Sequence, residues 1–162
     1  MADFVGALRT PFDSVLLLAA SEKGLTSCNF VVGEPAALAL MEKDDANARA
    51  MRPYIQQFEE YFEGKRTEFE FPLDLKGTDF EVACWYQMRH IPYGTTRTYA
   101  EIADRIGLPG AARAVGTACG KNRLAIVISC HRVVGKKTLG GYRWGEDMKQ
   151  NLLALEAAQK KI

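Results

Sequence analysis

No stretch of this 162-residue sequence approaches the roughly 20 consecutive apolar residues that a membrane span requires. The opening Met-Ala-Asp-Phe also lacks the basic residues of a secretory leader. No membrane association is expected, and the protein should be cytoplasmic, nucleoid-associated in a bacterium or nuclear in a eukaryote. Histidine is scarce, with His90 and His131 the only two. The four cysteines, Cys28, Cys84, Cys119 and Cys130, form neither a Cys-x-x-Cys pair nor a regular framework. That usage fits a reducing compartment rather than a disulfide scaffold, and it offers no zinc site. No metal and no cofactor are expected. Internal repeats and low-complexity tracts are missing as well.

Acid is missing from one long segment. The net charge of +1 hides an uneven distribution. Residues 1–78 hold 8 Lys+Arg against 13 Asp+Glu, whereas residues 79–162 hold 13 against 7. Between Asp104 and Glu146 no acid occurs, while Arg113, Lys121, Arg123, Arg132, Lys136, Lys137 and Arg143 all fall there. Such a bias favours a polyanionic partner. At this length the chain can bury one real core or divide into two modest units.

Phe4–Arg9, Ser14–Ala20 and Leu25–Val32 are short apolar segments parted by turn chemistry, Thr-Pro-Phe-Asp and Ser-Glu-Lys-Gly, which predicts a three-stranded antiparallel meander. Residues 33–46 make a loop or a short helix. Residues 47–62 carry Met51, Tyr54, Ile55, Phe58, Tyr61 and Phe62 at helical spacing, with Gly64 as a stop. Residues 67–75 alternate around Pro72 and read as an extended link. Residues 79–91 form a helix ended by Pro92-Tyr93-Gly94. Thr98 and Glu101 have the capping-box spacing and open a helix through Ile106. After the turn Gly107-Leu108-Pro109-Gly110, residues 111–119 form a second one, a helix-turn-helix signature. Residues 146–159, with Met148, Leu152, Leu153, Leu155 and Ala158 on one face, form a terminal helix.

The second helix of that pair, Ala-Ala-Arg113-Ala-Val-Gly-Thr-Ala, suits no major-groove reader, which needs long polar side chains along one face. Close packing explains the alanines but not the lone Arg113. Close approach to a DNA minor groove, with Arg113 as an inserting side chain, explains both. The run Ile126-Val-Ile-Ser-Cys130-His131-Arg132-Val-Val reads as a strand that delivers a cysteine beside a histidine. A thiol attacks as thiolate, and a nearby imidazole is the usual means of making one. On a strand, neighbouring side chains point to opposite faces, so Cys130 and His131 need a backbone turn or a bridging water to cooperate.

Taken together, Thr98-Tyr99, Ala-Ala-Arg113-Ala-Val-Gly, Asn122, Cys130-His131-Arg132-Val133 and Gly141-Tyr142 resemble the O6-alkylguanine-DNA alkyltransferases, from about Leu73 to Glu156. The resemblance implies irreversible transfer of an alkyl group from O6-alkylguanine, and from O4-alkylthymine, in double-stranded DNA to Cys130 after base flipping. It implies His131 as the base acting through water, Glu156 as its orienting carboxylate and Asn122 as a hydrogen-bonding hinge. Tyr99 would donate to the flipped guanine, and Arg113 would fill the gap in the duplex. Ala112, Ala114, Thr98 and Arg123 would complete the DNA face. Tyr142, Trp144, Arg143, Val133 and Lys149 would wall the alkyl pocket. A monomer is expected. The implied fold is α+β: a small N-terminal antiparallel sheet with a helix (1–72), then a mainly helical C-terminal domain (73–162) with the helix-turn-helix and an active-site Cys loop.

Three positions depart from the family pattern. Ser129 stands where Pro usually precedes the cysteine and should loosen the loop, Arg123 replaces a second Pro, and Trp144 replaces a Gly and should narrow access. Two other readings compete. A non-catalytic, alkyltransferase-like lesion sensor would share Tyr99 and Arg113 but has no use for Cys130. A Cys-His hydrolase leaves the alanine-rich helix and the basic segment unexplained.

Overall fold

The structure, a computed structural model, describes residues 3–160 and divides into two compact units, one up to Leu75 and the other from Lys76. In the first, β1 (Phe4–Arg9), β2 (Val15–Ser21) and β3 (Gly24–Val31) form the antiparallel meander in the order β1-β2-β3. A short helix α1 (Ala36–Leu40) precedes α2 (Ala46–Phe62), whose N-terminus is capped by the Asp45 carboxylate. Helix α2 buries Met51, Ile55, Phe58 and Tyr61, so the aromatic stripe is core. Pro53 lies inside this helix, and tertiary packing overrides the helix-breaking cost of roughly 3 kcal/mol.

Residues 67–75 are more than a link. Phe69 stacks on Phe58 (4.8 Å) and Phe71 on Tyr54 (5.0 Å), while Leu73 adds a parallel bridge to Leu25 of β3. Gly24 has φ +151°, and a Cβ there would collide with the Pro72 carbonyl. The glycine is what lets this segment close on the sheet.

The second unit is mainly helical. Helix α3 (Asp79–Arg89) starts with a full capping box between Thr78 and Glu81, and α4 (Tyr99–Arg105) with one between Thr98 and Glu101. Helix α5 (Ala112–Gly120) follows α4 through a turn in which Gly107 (φ +80°) and Gly110 (φ +93°) adopt left-handed conformations. Trp85 Nε1 donates to the Ala118 carbonyl at 2.9 Å and ties α3 to α5. A two-residue strand β4 (Arg97–Thr98) pairs in parallel with β5 (Val133–Val134). That small ladder places Tyr99, the next residue after β4, beside the chain that has just carried Cys130.

The terminal helix α6 (Glu146–Lys160) turns most of its expected apolar face inward, with Leu152 buried and Met148, Leu153 and Leu155 half-buried, but it also buries two charged residues. Lys149, Leu152 and Glu156 are fully buried, whereas Ala158 is exposed. Among the described residues, no helix is long and apolar enough to cross a membrane.

Candidate active site

The apolar run before Cys130 is not a strand. Residues 124–128 are buried on every side and fold into successive tight turns. The Val127 N–H reaches the Ala125 carbonyl at 2.8 Å around Ile126, which has φ +73°. This is a γ-turn of the rare positive-φ type, and a β-branched residue in it stores on the order of 1–3 kcal/mol of strain. A second, inverse γ-turn closes around Ser129 (φ −80°, ψ 53°), with the Cys130 N–H donating to the Ile128 carbonyl at 2.7 Å. β-Branched residues buried all round give a strand-like signal whatever their backbone does, which is why the pattern misleads here.

Asn122 holds this coil in shape. It is fully buried; its Oδ1 accepts from the Leu124 N–H at 2.8 Å, and its Nδ2 donates to the Ile128 carbonyl at 2.9 Å and to Cys130 Sγ at 3.1 Å. One amide thus spans both ends of the turn and touches the thiol.

Cys130, His131 and Arg132 then make a single 3₁₀ turn, so the backbone turn that their cooperation requires is present. His131 Nε2 lies 2.7 Å from Glu156 Oε2, with both side chains fully buried. An ionised carboxylate only accepts, so Nε2 carries the hydrogen and Nδ1 the lone pair. Nδ1 has no hydrogen-bond partner among the described residues. Arg132, grouped by charge with the surface bases, is buried instead. Its Nε and Nη2 donate to Glu156 Oε1 (2.8 Å) and Oε2 (2.9 Å), its Nη1 donates to the Ile91 carbonyl (2.6 Å), and its guanidinium sits 5.6 Å from the centre of the Tyr93 ring.

Burial sets the protonation states. It pushes the Cys130 thiol up to about 11, against the opposing pull of the Asn122 hydrogen bond and the Lys149 charge. It also holds His131 below its ordinary value, although Glu156 pulls the other way. Glu156 lies far below the usual carboxylate range because the hydrogen bonds from His131 and Arg132, together with the Arg132 charge, outweigh its own burial.

Cys130 lies at a cleft of about 630 Å³. Tyr99, at the start of α4, forms one wall, and Ala112, Arg113, Gly116 and Cys119 of α5 form another. The glycine-rich loop closes it with Gly140, Gly141, Tyr142 and Arg143. A Cβ on Gly140 (φ +78°) would strike the Tyr99 hydroxyl, so the loop approaches only because that position is glycine. Tyr99 is half-buried, and burial pushes its phenol up to about 12.

Other expected site residues stand elsewhere. Val133, Trp144 and Lys149 lie behind the wall rather than in it. The buried Lys149 donates to the carbonyls of Val133 (2.6 Å) and Gly141 (2.9 Å), fastening the loop to β5. Trp144 packs edge-on against Tyr142 at 5.2 Å and close to the Arg143 guanidinium. Arg143 in turn donates to the Asn122 carbonyl at 2.9 Å. The Thr98 hydroxyl is engaged as the α4 cap. Ala114 and Arg123 are exposed outside the cleft lining. Arg132 and Cys119 were missed. The available signal for Arg132 was a charged residue lodged inside an otherwise apolar run.

Ser129 does not loosen the loop. Its buried hydroxyl donates to the Ile126 carbonyl at 3.1 Å, across the strained turn. Ser129→Ala removes that bond and leaves a buried carbonyl, an expected cost of about 1–2 kcal/mol. Ser129→Pro loses the same bond but suits φ −80° and restricts the unfolded chain, recovering about 0.4–1 kcal/mol. Urea unfolding should rank stability as parent, then Ser129→Pro, then Ser129→Ala.

Comparison with known proteins places the chain in a family. The family model for the 6-O-methylguanine DNA methyltransferase ribonuclease-like domain matches residues 6–75. The one for the DNA binding domain of the same family matches residues 79–158. A methylated-DNA–protein-cysteine methyltransferase of Mycolicibacterium paratuberculosis is 47% identical over 88% of this chain and 86% of its own. The crystal structure of Mycobacterium tuberculosis O6-methylguanine methyltransferase superposes with a TM-score of 0.80 at 38% identity, over 98% of this chain and 94% of that one. The same M. tuberculosis protein solved in complex with DNA superposes equally well, over 96% and 94%. Matched in both units and by relatives along nearly its whole length, the chain belongs to the 6-O-methylguanine DNA methyltransferase family.

Proposed function

We propose that this protein repairs alkylated DNA in the cytoplasm by moving the alkyl group of O6-alkylguanine onto Cys130, once per chain. The observation that carries the reading is a buried thiol at a base-sized cleft, backed by an imidazole whose free nitrogen is an acceptor. A volume of about 630 Å³ lies in the range of small-ligand sites and accommodates an extruded purine. The target carbon is inaccessible inside the stack, so the base must leave the duplex at a cost of a few kcal/mol.

The residues divide the work. A thiol pushed up to about 11 by burial is almost wholly protonated at pH 7, so a base must act as the reaction proceeds. His131, neutral and with Nδ1 unprotonated, takes the thiol proton through a bridging water, while Glu156 fixes the ring through Nε2. Sγ forms its bond to the alkyl carbon as the carbon–O6 bond breaks. The electron pair passes to the guanine, which takes a proton or a hydrogen bond in return. Tyr99, kept protonated by burial, is the donor at that wall. The product is a thioether, which no group in the cleft can reverse. A lesion sensor that transfers nothing would not need the thiol that Asn122 holds at the cleft floor.

Arg113 is exposed on α5 at the cleft mouth, among small residues that let the helix backbone press close to a minor groove. We assign it the place vacated by the flipped base. Arg113→Ala should slow repair of duplex DNA by about tenfold or more, equivalent to 1.4 kcal/mol or more, yet leave reaction with the free modified base unchanged. Equal losses on both substrates would make Arg113 structural.

The proposal is tested by mixing the protein with excess duplex carrying one O6-methylguanine and counting methyl groups moved. The expected plateau is one per chain. No transfer, or continued turnover, would overturn it.

A further inference from the structure

The buried Arg132 is the charged group nearest the base that the mechanism above does not use, and its geometry is too specific for a charge that merely found a partner. Resting on the alkyl-transfer reading, we propose that Arg132 is a positioning residue: by gripping both oxygens of Glu156 it keeps His131 a neutral imidazole with Nδ1 free to accept the thiol proton.

Glu156 is fully buried and bonded to His131 Nε2 on one oxygen. Alone, such a carboxylate would draw a second proton onto the imidazole, giving a buried imidazolium–carboxylate pair. That species has no lone pair and cannot serve as a base. Arg132 lies across the same carboxylate in a two-pronged arrangement, 2.8 Å to Oε1 and 2.9 Å to Oε2. It supplies the positive charge that the imidazole would otherwise have to supply. The planar fork of a guanidinium matches both oxygens of a carboxylate at once.

Burial and Lys149 act in the same sense as Arg132. The charged and titratable groups around the ring are Glu156 and Lys149 from α6, Arg132 beside it, Cys130 before it and Tyr142, 6.5 Å away, from the glycine-rich loop. Glu156 favours a cationic ring, while Arg132 and Lys149 oppose one, as does burial. Arg132 is itself fixed by the Ile91 carbonyl at the end of α3 and by the Tyr93 ring. Its fork therefore meets Glu156 in one orientation.

The test compares the parent with Arg132→Met and Arg132→Lys, following single-turnover methyl transfer against pH and titrating 15N-labelled histidine by NMR. The parent should show His131 as the Nε2–H neutral tautomer at pH 7. In Arg132→Met the acid limb of the rate profile should move up by about one pH unit or more, a loss of about tenfold on that limb, with recovery at higher pH. Arg132→Lys, which keeps the charge but not the fork, should fall between. A residue needed only for folding would lower the active fraction without moving the limb, and that result would overturn the proposal. If Arg132→Met does not fold, the lysine variant carries the comparison. If neither folds, the parent decides, because a doubly protonated His131 at pH 7 refutes the inference. Lack of methyl transfer by the parent would instead remove the alkyl-transfer reading, while the NMR titration still judges the role of Arg132.

Discussion

Cys130→Ala is expected to abolish methyl transfer from DNA to protein while leaving binding to duplex DNA nearly unchanged. The two effects separate because the thiol and the DNA-facing side chains sit on different elements. Cys130 heads the buried 3₁₀ turn, whereas Arg113 and Ala112 belong to α5. Losing Sγ removes one acceptor from Asn122, but that amide keeps the Ile128 carbonyl at 2.9 Å and the Leu124 N–H at 2.8 Å. The turn should hold its shape, with a stability cost of about 1–2 kcal/mol for a small vacated volume. Neither of the other unit-two thiols can substitute. Cys84 is buried in α3, and Cys119, although at the cleft, is raised further by burial than Cys130 and turns its sulfur to Met88 rather than to Asn122. Transfer assays paired with gel shifts check both halves. A Cys130→Ala protein that still gains methyl groups refutes the assignment of the nucleophile.

Glu156→Ala should have the largest effect on stability. It strips a fully buried site of the carboxylate that faces both Arg132 and His131, leaving a guanidinium uncompensated. Breaking a buried pair from one side costs about 3–5 kcal/mol, a large fraction of the 5–15 kcal/mol typical of a whole domain. Urea denaturation should therefore find this variant's stability lower than the parent's by about that amount. Glu156→Gln, similar in shape but uncharged, should lose less.

The same cluster sets the response to acid. His131 in the folded protein resists a proton that the unfolded chain accepts near pH 6.5, so stability should begin to fall as pH drops below about 6.5. Glu156 is held far below the ordinary carboxylate range. Its contribution is full above about pH 4.3, where the unfolded chain is ionised, and is lost on further acidification. Parent stability should thus decline in two stages, and Glu156→Gln should lack the lower one.

These groups also mark the limit of what the sequence made legible. The meander, the α2 stripe and the Thr98 capping box follow from local rules, period two, period 3.6 and a side chain reaching three residues on. The two capped and glycine-broken helices were readable for the same reason. The Cys loop was not, because Leu124–Ile128 is buried all round and β-branched burial imitates a strand. What shapes that loop is one amide, Asn122, two residues before it, whose hydrogen bonds to both ends of the turn cannot be inferred from periodicity. Arg132 meets its partner 24 residues away in sequence; its place inside an apolar run marks it as unlike the surface bases, but nothing local names Glu156 as that partner. In α6 the apolar pattern drew attention to Ala158, yet Lys149 and Glu156 face inward because each finds partners in the site. Lys149, Val133 and Trp144 belong to the site as its backing. Resemblance could name them but not say on which side of the wall they stand.

The central claim is that the alkyl group ends on one particular sulfur. After incubation with duplex DNA bearing O6-methylguanine, the protein is digested and the peptide containing Cys130 is weighed. The account predicts that this peptide alone gains one methyl group, in amounts equal to the guanine restored. An unmodified Cys130 peptide alongside repaired DNA, or the methyl group on Cys119 instead, would contradict it.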